Sequence, residues 1–313
     1  MRKLSRLLIK GERYDGFRVS IVGGCQVAGL GAWIERFLPG SRVDPWHVGV
    51  SVDNSIEAIL DALPGSDLII TQVIDGHDGG RLDASVLRGY AEHLVFLPTF
   101  VFAGFHPDFV FREYDETKYL ASPVGLMHSA LVIASFQHGV PEHHVAKLFN
   151  PIVYDAAGYF DVYEDGRFAM IKIFKESGYD ISEAFDEWTI GGPFMHTDNH
   201  PHIRVLGKLA QLALEKAGLI GVACTGEPSD VLGEYSLHWP IHRPIARRLG
   251  VAPFSRFRRS IFDMTPGSTR EISLDEFISG CYSTYAKNTD LDFSTHIRIR
   301  RAQVALESLL SPK

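Results

Sequence analysis

The chain has 313 residues, of which 45% are hydrophobic and 22% are charged, proportions that are typical of soluble globular domains. This length is sufficient for one or two domains with a sizeable hydrophobic core. The formal net charge of -7 argues against a general nucleic-acid-binding protein, because such proteins usually carry excess positive charge.

The N-terminal half shows apolar runs rich in β-branched residues that alternate with segments of helical periodicity. They predict a strand over 17–22, a helix over 27–38, a strand over 46–52, a helix over 55–63 and a strand over 67–74. This alternation is typical of an α/β fold, in which a parallel sheet core is flanked by helices.

The rest of the chain is dominated by predicted helices. A helix is predicted over 84–92 and one more strand over 93–102. Further helices are predicted over 123–138, 142–149, 201–217 and, as a helical tail, 273–310. We therefore divide the chain into an N-terminal arm (1–14), an α/β core (15–225) and a mainly helical C-terminal extension packed on that core (226–313).

The cysteines and the apolar segments predict a cytoplasmic protein. Cys25, Cys224 and Cys281 are widely spaced and form neither a disulfide framework nor a CxxC pair, which favours a reducing compartment. The apolar run near the N-terminus is too short for a signal peptide, and no stretch approaches the roughly 20 apolar residues of a membrane span. The basic arm suggests at most a peripheral contact with the inner membrane or with capsule enzymes, and a solvated tail is the alternative.

The first candidate site is the turn Gly23-Gly24-Cys25-Gln26, which joins the first predicted strand to the first predicted helix. Ligands bind at the carboxyl edge of open parallel sheets. Backbone N–H groups at a helix start lower the pKa of a thiol and stabilise an oxyanion, and Gln26 adds an amide donor. The alternative is a packed cysteine beside a glycine turn. The glycine spacing does not match a dinucleotide-binding motif.

The second candidate site is the histidine-rich loop that runs from His196 to His202. If the following helix starts at Pro201, His200 lies at its cap, where the helix dipole lowers its pKa and suits it to act as a general base. Asp198 is placed to orient the imidazole. A structural loop and a metal site made by the histidines are the alternatives, although we expect no metal because Pro201 interrupts any helical spacing of the ligands.

The order of these motifs resembles that of SGNH-type hydrolases and acyltransferases, with cysteine in place of serine, and more closely the WcbI family of capsular polysaccharide biosynthesis proteins. The resemblance is carried by Gly24-Cys25-Gln26, Phe105-His106-Pro107-Asp108, Met127-His128-Ser129-Ala130 and Asn199-His200-Pro201. An asparagine often precedes the cysteine in that family, whereas this chain has Gly24. The resemblance implies coenzyme A binding, a proposed acetyltransferase role on capsule sugars and an α/β fold that is SGNH-like in part.

Coenzyme A carries phosphate groups, and arginine side chains match phosphate geometry. We therefore propose two sets of residues for the cofactor site. One is the turn at Gly23, Gly24, Cys25 and Gln26, and the other is a basic cluster interleaved with Trp239, Phe254 and Phe257. Its arginines are Arg243, Arg247, Arg256 and Arg258. Solvated surface charge is the alternative.

Five further residues are candidates for binding the sugar, because each lies in a motif or loop that could border the cleft. They are His77, His106, His128, Ser129 and His196. For His128 and Ser129 the alternative is a helix core with satisfied hydrogen bonds, and for His106 it is a structural turn.

The hypothesis that follows is acetyl transfer from acetyl-coenzyme A to a sugar hydroxyl of a capsular polysaccharide or its precursor. His200 is the predicted base, the turn at Gly24–Gln26 supplies the oxyanion donors, and Cys25 is either a covalent nucleophile or a bystander. The alternatives are a polysaccharide O-acyl esterase that uses the same residues, and a non-catalytic protein that binds coenzyme A and glycan for other capsule enzymes.

Overall fold

The computed structural model describes residues 14–49, 55–111, 120–219, 221–265, 267–288 and 296–310. These residues form two compact units. Unit 1 takes the described parts of Met1–Phe100, Ile171–Phe194 and His200–Glu234, and unit 2 those of Val101–Met170, Met195–Asn199 and Tyr235–Lys313. Because the chain passes from one unit to the other several times, these boundaries do not coincide with the predicted division at residue 225.

The described residues contain the following strands and helices, in chain order: β1 (Arg18–Gly23), α1 (Val27–Phe37), β2 (Arg42–His47), α2 (Ile56–Ala62), β3 (Ser66–Thr71), α3 (Ala84–Leu87), β4 (Ala91–Phe96), β5 (Phe109–Phe111), β6 (Met127–Ser129), α4 (Ala130–Gln137), α5 (Glu142–Val145), α6 (Pro151–Ala156), α7 (Val162–Glu176), α8 (Ser182–Ile190), α9 (Ile203–Lys216), α10 (Val231–Tyr235), α11 (Arg243–Leu249), β7 (Phe257–Arg258), β8 (Glu271–Ile272), α12 (Leu274–Ala286) and α13 (Ile297–Leu310).

Unit 1 is built on a four-stranded parallel sheet in the order β2-β1-β3-β4. Side chains alternate between its two faces. Val22 packs with Ile59 of α2 and Leu87 of α3 in one apolar cluster, while Ile21 points to the α1 side, where its Cδ1 lies 3.7 Å from the position of a Cβ on Gly31. Helices therefore cover both faces, which confirms the predicted α/β class.

The order of the strands places a topological switch point at β1. The chain leaves β1 for β2 on one side and then crosses to β3 on the other side of β1. In open α/β sheets ligands bind outside the carboxyl ends of the strands at such a point. The turn that follows β1 and the residues that follow β3 meet there.

Unit 2 is mainly helical. Its strands form two small antiparallel pairs, β5 with β6 and β7 with β8. α13 packs against α4 and α6, and the aromatic side chains of Trp239, Phe257 and Phe277 pack together in its core, with ring centroids of Phe257 and Phe277 4.1 Å apart.

Several predicted elements differ from the observed ones. The helix predicted over 84–92 ends at Leu87 and the chain turns at Gly89 before β4. The helix predicted over 123–138 begins only at Ala130, because residues 127–129 pair with β5 and the Ser129 hydroxyl caps α4 by accepting from the Val132 N–H. Of the predicted strand over 46–52, residues 46 and 47 lie at the end of β2 (Arg42–His47), and residues 50–52 lie outside the described residues. In each case tertiary pairing overrides the apolar pattern.

Candidate active site

The turn between β1 and α1 lies at the switch point and is packed tightly on one side. A Cβ on Gly23 would lie 2.9 Å from both Cβ and Oε1 of Gln72, the residue that follows β3. Only glycine leaves room for this approach. On Gly24, by contrast, a Cβ would meet no described atom within 4 Å, so the outer side of the turn is open.

Gln26 fastens this turn to the chain after β4. Its Nε2 donates to the Phe100 carbonyl at 2.7 Å, and its Oε1 accepts from the Phe100 N–H and from Gln72 Nε2, both at 3.2 Å. The Gln26 side chain is 1% exposed. These contacts show that Gln26 positions the turn. Its role as an oxyanion donor stays a prediction.

Cys25 is exposed at the tip of this turn. Nearby protein atoms nevertheless desolvate the thiol and raise its pKa, and a hydrogen bond from its own backbone N–H opposes this effect only in part. The direction is opposite to the one that the helix dipole alone predicts. At neutral pH the sulfur is therefore mostly a thiol, and a weaker nucleophile than a thiolate.

Helix α9, which follows the histidine loop, begins two residues later than predicted. Helix α9 begins at Ile203, and the cap is His202, whose Nδ1 accepts from the Arg204 N–H at 3.2 Å and whose Nε2 lies 3.5 Å from Asp230 Oδ2. Pro201 is thus outside the helix. His200 lies before the cap rather than on it, and its side chain is buried.

Helices α1 and α9 hold the two loops of unit 1 beside each other. A Cβ on Gly29 of α1 would lie 2.4 Å from Leu206 Cδ1 and 3.3 Å from Ile203 Cδ1 of α9. The Trp33 Nε1–H donates to the Ile203 carbonyl at 2.8 Å. Gly29 is near the start of α1 and Ile203 opens α9, so the contact joins their first turns.

An aromatic cluster contacts residues that hold both loops. The Phe100 ring, whose backbone is held by Gln26, packs against Trp188 and Phe194 at centroid distances of 5.4 and 6.3 Å. The Phe194 carbonyl accepts from the His202 N–H at 2.8 Å. The Cys25 turn and the His200 loop therefore both contact residues of this aromatic cluster.

Asp198 and His196 belong to unit 2. The Asp198 carboxylate pairs with Arg298 at 3.5 Å, and burial raises the pKa of Asp198 whereas Arg298 lowers it. The half-buried His196 ring stacks on His238 with centroids 4.3 Å apart. The described partners of both residues lie in unit 2.

Two of the candidate sugar-binding histidines are buried. His106 is 1% exposed, its ring nitrogens face the carbonyls of Pro240 and Met195 at 3.2 and 3.4 Å, and burial lowers its pKa to about 3. His128 is 0% exposed and contacts the Tyr285 hydroxyl at 2.8 Å and the Leu120 carbonyl at 3.0 Å. Both rings are therefore buried and hydrogen-bonded within unit 2, and their contact with a sugar stays a prediction.

Ser129 is also buried. Besides capping α4, its hydroxyl donates to Asp108 Oδ2 at 2.8 Å, so both hydrogen-bonding functions of this side chain are used inside unit 2. The backbone of His77 lies in a 3₁₀ turn, His77–Gly80, and the position of its side chain lies outside the described part of the structure.

The arginines of the basic cluster differ in their surroundings. Arg243 and Arg247 are exposed on α11 and have no ion-pair partner among the described residues. Arg256 pairs with Glu271 at 3.4 Å and Glu276 at 4.0 Å. Arg258 lies in β7. The rings of Trp239 and Phe257, which are interleaved with these arginines in the sequence, are buried in the aromatic core.

Sequence reasoning missed the contributions of Gln72, of the His202–Asp230 pair and of Asp108 as a hub. Gln72 follows the apolar run of β3 directly, which is the one local signal that places it at the ligand-binding edge. No group of three or more potential metal ligands is present in the part of the chain that the structure describes. Nor is any helix there long and apolar enough to cross a membrane.

The family model for the polysaccharide biosynthesis enzyme WcbI matches residues 18–221. The chain also resembles a solved structure of WcbI, described as a novel polysaccharide biosynthesis enzyme in its native form without a disulfide bond between coenzyme A and one of its cysteines. The TM-score is 0.70 and the identity 14%, over 96% of this chain and 100% of that one, which is a likeness of fold. No curated protein matches.

Proposed function

The chain belongs to the WcbI family of polysaccharide biosynthesis enzymes, and from this membership we propose that it is a cytoplasmic acetyltransferase. Its donor is acetyl-coenzyme A and its acceptor is a sugar hydroxyl of a capsular polysaccharide or precursor. The similar solved structure is one described in terms of coenzyme A. The observation that carries the proposal is the open Gly24-Cys25 turn at the switch point of the sheet, which is joined through α1 and α9 to the loop that bears His200.

The reaction needs a base, an oxyanion site and a route for one proton. His200 takes the proton of the sugar hydroxyl as its oxygen attacks the thioester carbonyl carbon. Backbone N–H groups of the turn and of the first residues of α1 stabilise the negative charge on the carbonyl oxygen. The C–S bond then breaks, and coenzyme A leaves with the proton that His200 returns to its sulfur. The acetyl group remains on the sugar oxygen.

The raised pKa of Cys25 favours this direct route over an acetyl-cysteine intermediate. A covalent route needs deprotonation of this thiol and two acyl transfers, whereas the direct route needs one acyl transfer and the base His200. Cys25→Ala should then retain a substantial part of the transfer rate. A stoichiometric acetyl adduct on Cys25 that forms and decays at the rate of turnover, seen by mass spectrometry, would establish the covalent route instead.

The base is tested with His200→Gln, which keeps a polar side chain of similar length. We expect acetyl transfer to fall by roughly 10²–10⁴, the usual contribution of a general base, while coenzyme A still raises the melting temperature. His144→Gln, at an exposed histidine of α5, is the matched control and should transfer normally. Near-normal transfer by His200→Gln would assign this residue to structure.

The donor is tested by thermal shift and by product analysis. Saturating coenzyme A at about a hundred times its Kd should stabilise the fold by about 2.7 kcal/mol. Dephospho-coenzyme A should stabilise it less if an arginine such as Arg243 or Arg247 grips the 3′-phosphate. Release of free coenzyme A must depend on added sugar acceptor. Release of acetate from acetylated polysaccharide without coenzyme A would identify an esterase instead.

A further inference from the structure

Unit 2 contains a buried polar cluster that the proposed mechanism does not use. Its centre is the carboxylate of Asp108, which is 0% exposed. Oδ2 accepts from the Ser129 hydroxyl at 2.8 Å and Oδ1 from the Trp239 Nε1–H at 3.2 Å. A carboxylate offers about four acceptor positions, so these two bonds leave further capacity.

Three buried hydrogen-bonding groups in the neighbourhood of this carboxylate have no protein partner in the described structure: Tyr154 Oη, Tyr159 Oη and His242 Nε2. The rings of Tyr154 and Tyr159 lie 5.2 Å apart. His242 Nε2 lies 4.0 Å from Asp108 Oδ2, too far for a hydrogen bond. Both tyrosines are buried, which raises the pKa of each hydroxyl, and the charge of Asp108 raises it further.

Three buried groups of this kind in one place need an explanation, because burying a polar group without a partner costs free energy. Within the cluster the hydroxyls and the imidazole can both donate and accept, whereas the carboxylate only accepts. A guest that satisfies them must likewise offer several O–H groups. Water molecules or the hydroxyls of a sugar meet this requirement.

The charges around the cluster select a neutral guest. Asp108 repels an anion. The positive charges of Arg298 and Arg301 also act on Tyr159 and disfavour a cation. Burial lowers the pKa of His242, an effect that Asp108 opposes, so the imidazole is neutral near pH 7 and adapts as donor or acceptor to the guest.

We propose that the Asp108 cluster is a binding site for a neutral, hydroxyl-bearing ligand, namely a sugar ring of the acceptor. The choice of sugar over water alone rests on the proposed function. The side of the cluster that approaches solvent is marked by His242, which is 9% exposed. The partly exposed Phe149 ring lies 4.7 Å from the His242 ring and 6.3 Å from that of Tyr154. The guest enters when the Phe149 ring turns aside.

The test uses the full chain and three defined probes, the methyl α-glycosides of glucose, galactose and mannose, measured by saturation-transfer NMR. Tyr154→Phe and Tyr159→Phe each remove one oxygen that has no protein partner, so both variants should fold with an undiminished melting temperature. We expect at least one glycoside to bind the wild type and each variant to bind it roughly tenfold more weakly. Tyr282→Phe is the control, since its hydroxyl donates to the Val140 carbonyl outside the cluster at 2.9 Å, and it should bind as the wild type does.

Two results would overturn the assignment. If the folded wild type binds no glycoside up to the solubility limit, the cluster holds only water. If glycosides bind but the two variants bind them equally well, the sugar site lies elsewhere. The melting shift with coenzyme A, measured on the same samples, keeps the two proposals separate. A coenzyme A shift without glycoside binding removes the sugar site alone, and glycoside binding without a coenzyme A shift removes the acetyl donor alone.

Discussion

Gln26 provides the sharpest test of how unit 1 holds its candidate active site. Gln26→Leu keeps the size of the side chain and removes its amide. The Phe100 N–H and carbonyl, which bond to Gln26 at 3.2 and 2.7 Å, are then left buried without these partners. An unsatisfied buried group costs about 1–3 kcal/mol, so we expect a loss of about 2–6 kcal/mol. That is a large part of the roughly 5–15 kcal/mol that stabilises a typical protein.

Urea unfolding followed by circular dichroism measures this loss. Gln26→Glu should lose as much, because it cannot donate to the Phe100 carbonyl and it buries a charge. Gln211→Leu is the control, since Gln211 is exposed on α9 and bonds only to Glu215 among its described partners, and it should change stability by no more than about 0.5 kcal/mol. A loss below about 1 kcal/mol in Gln26→Leu would refute the view that this amide fastens the turn.

Two further measurements test the site in unit 1, and a third tests a buried histidine of unit 2. Gly23→Ala places a Cβ 2.9 Å from Gln72 Oε1 and should lower the free energy of unfolding by about 1–3 kcal/mol in calorimetry. Gly24→Ala, whose Cβ meets no described atom within 4 Å, should keep the melting temperature. Equal losses of stability in the two variants would contradict the packing. Because the pKa of Cys25 is raised, its alkylation by iodoacetamide should reach half-maximal rate at a higher pH than that of a free cysteine peptide, and a lower midpoint would show an activated thiolate. Burial lowers the pKa of His106 to about 3, below its unfolded value of about 6.5. Its contribution to the free energy of unfolding is therefore complete above about pH 6.5 and falls by about 1.4 kcal/mol per pH unit down to about pH 3. His106→Gln should lose stability less steeply over this range, and parallel slopes for the variant and the wild type would contradict a buried neutral imidazole.

The amino-acid sequence determined the architecture of unit 1. Local composition predicts the buried strands, as in Val19–Val22. Because these strands alternate with helices, a parallel sheet covered on both faces is the arrangement that buries them. The same local order placed Cys25 at the carboxyl edge of the sheet, because a residue that follows a strand in such a sheet must lie there. The family motifs were also readable, since they are contiguous in the chain.

The tertiary structure alone decided which of these residues are exposed and which are held. The apolar pattern places His128 and Ser129 in one helix. In the structure they form the end of a strand and a helix cap, because their partners in β5, Val110 and Phe109, lie 18 and 20 residues earlier. Gln26 bonds to Phe100, 74 positions away, and Asp108 to Trp239, 131 positions away. Burial, hydrogen-bond partners and pKa arise from such distant contacts, and no local pattern encodes them. A sequence motif therefore indicates which residues belong to a candidate site. The tertiary structure decides which of them are exposed and which support a neighbouring residue.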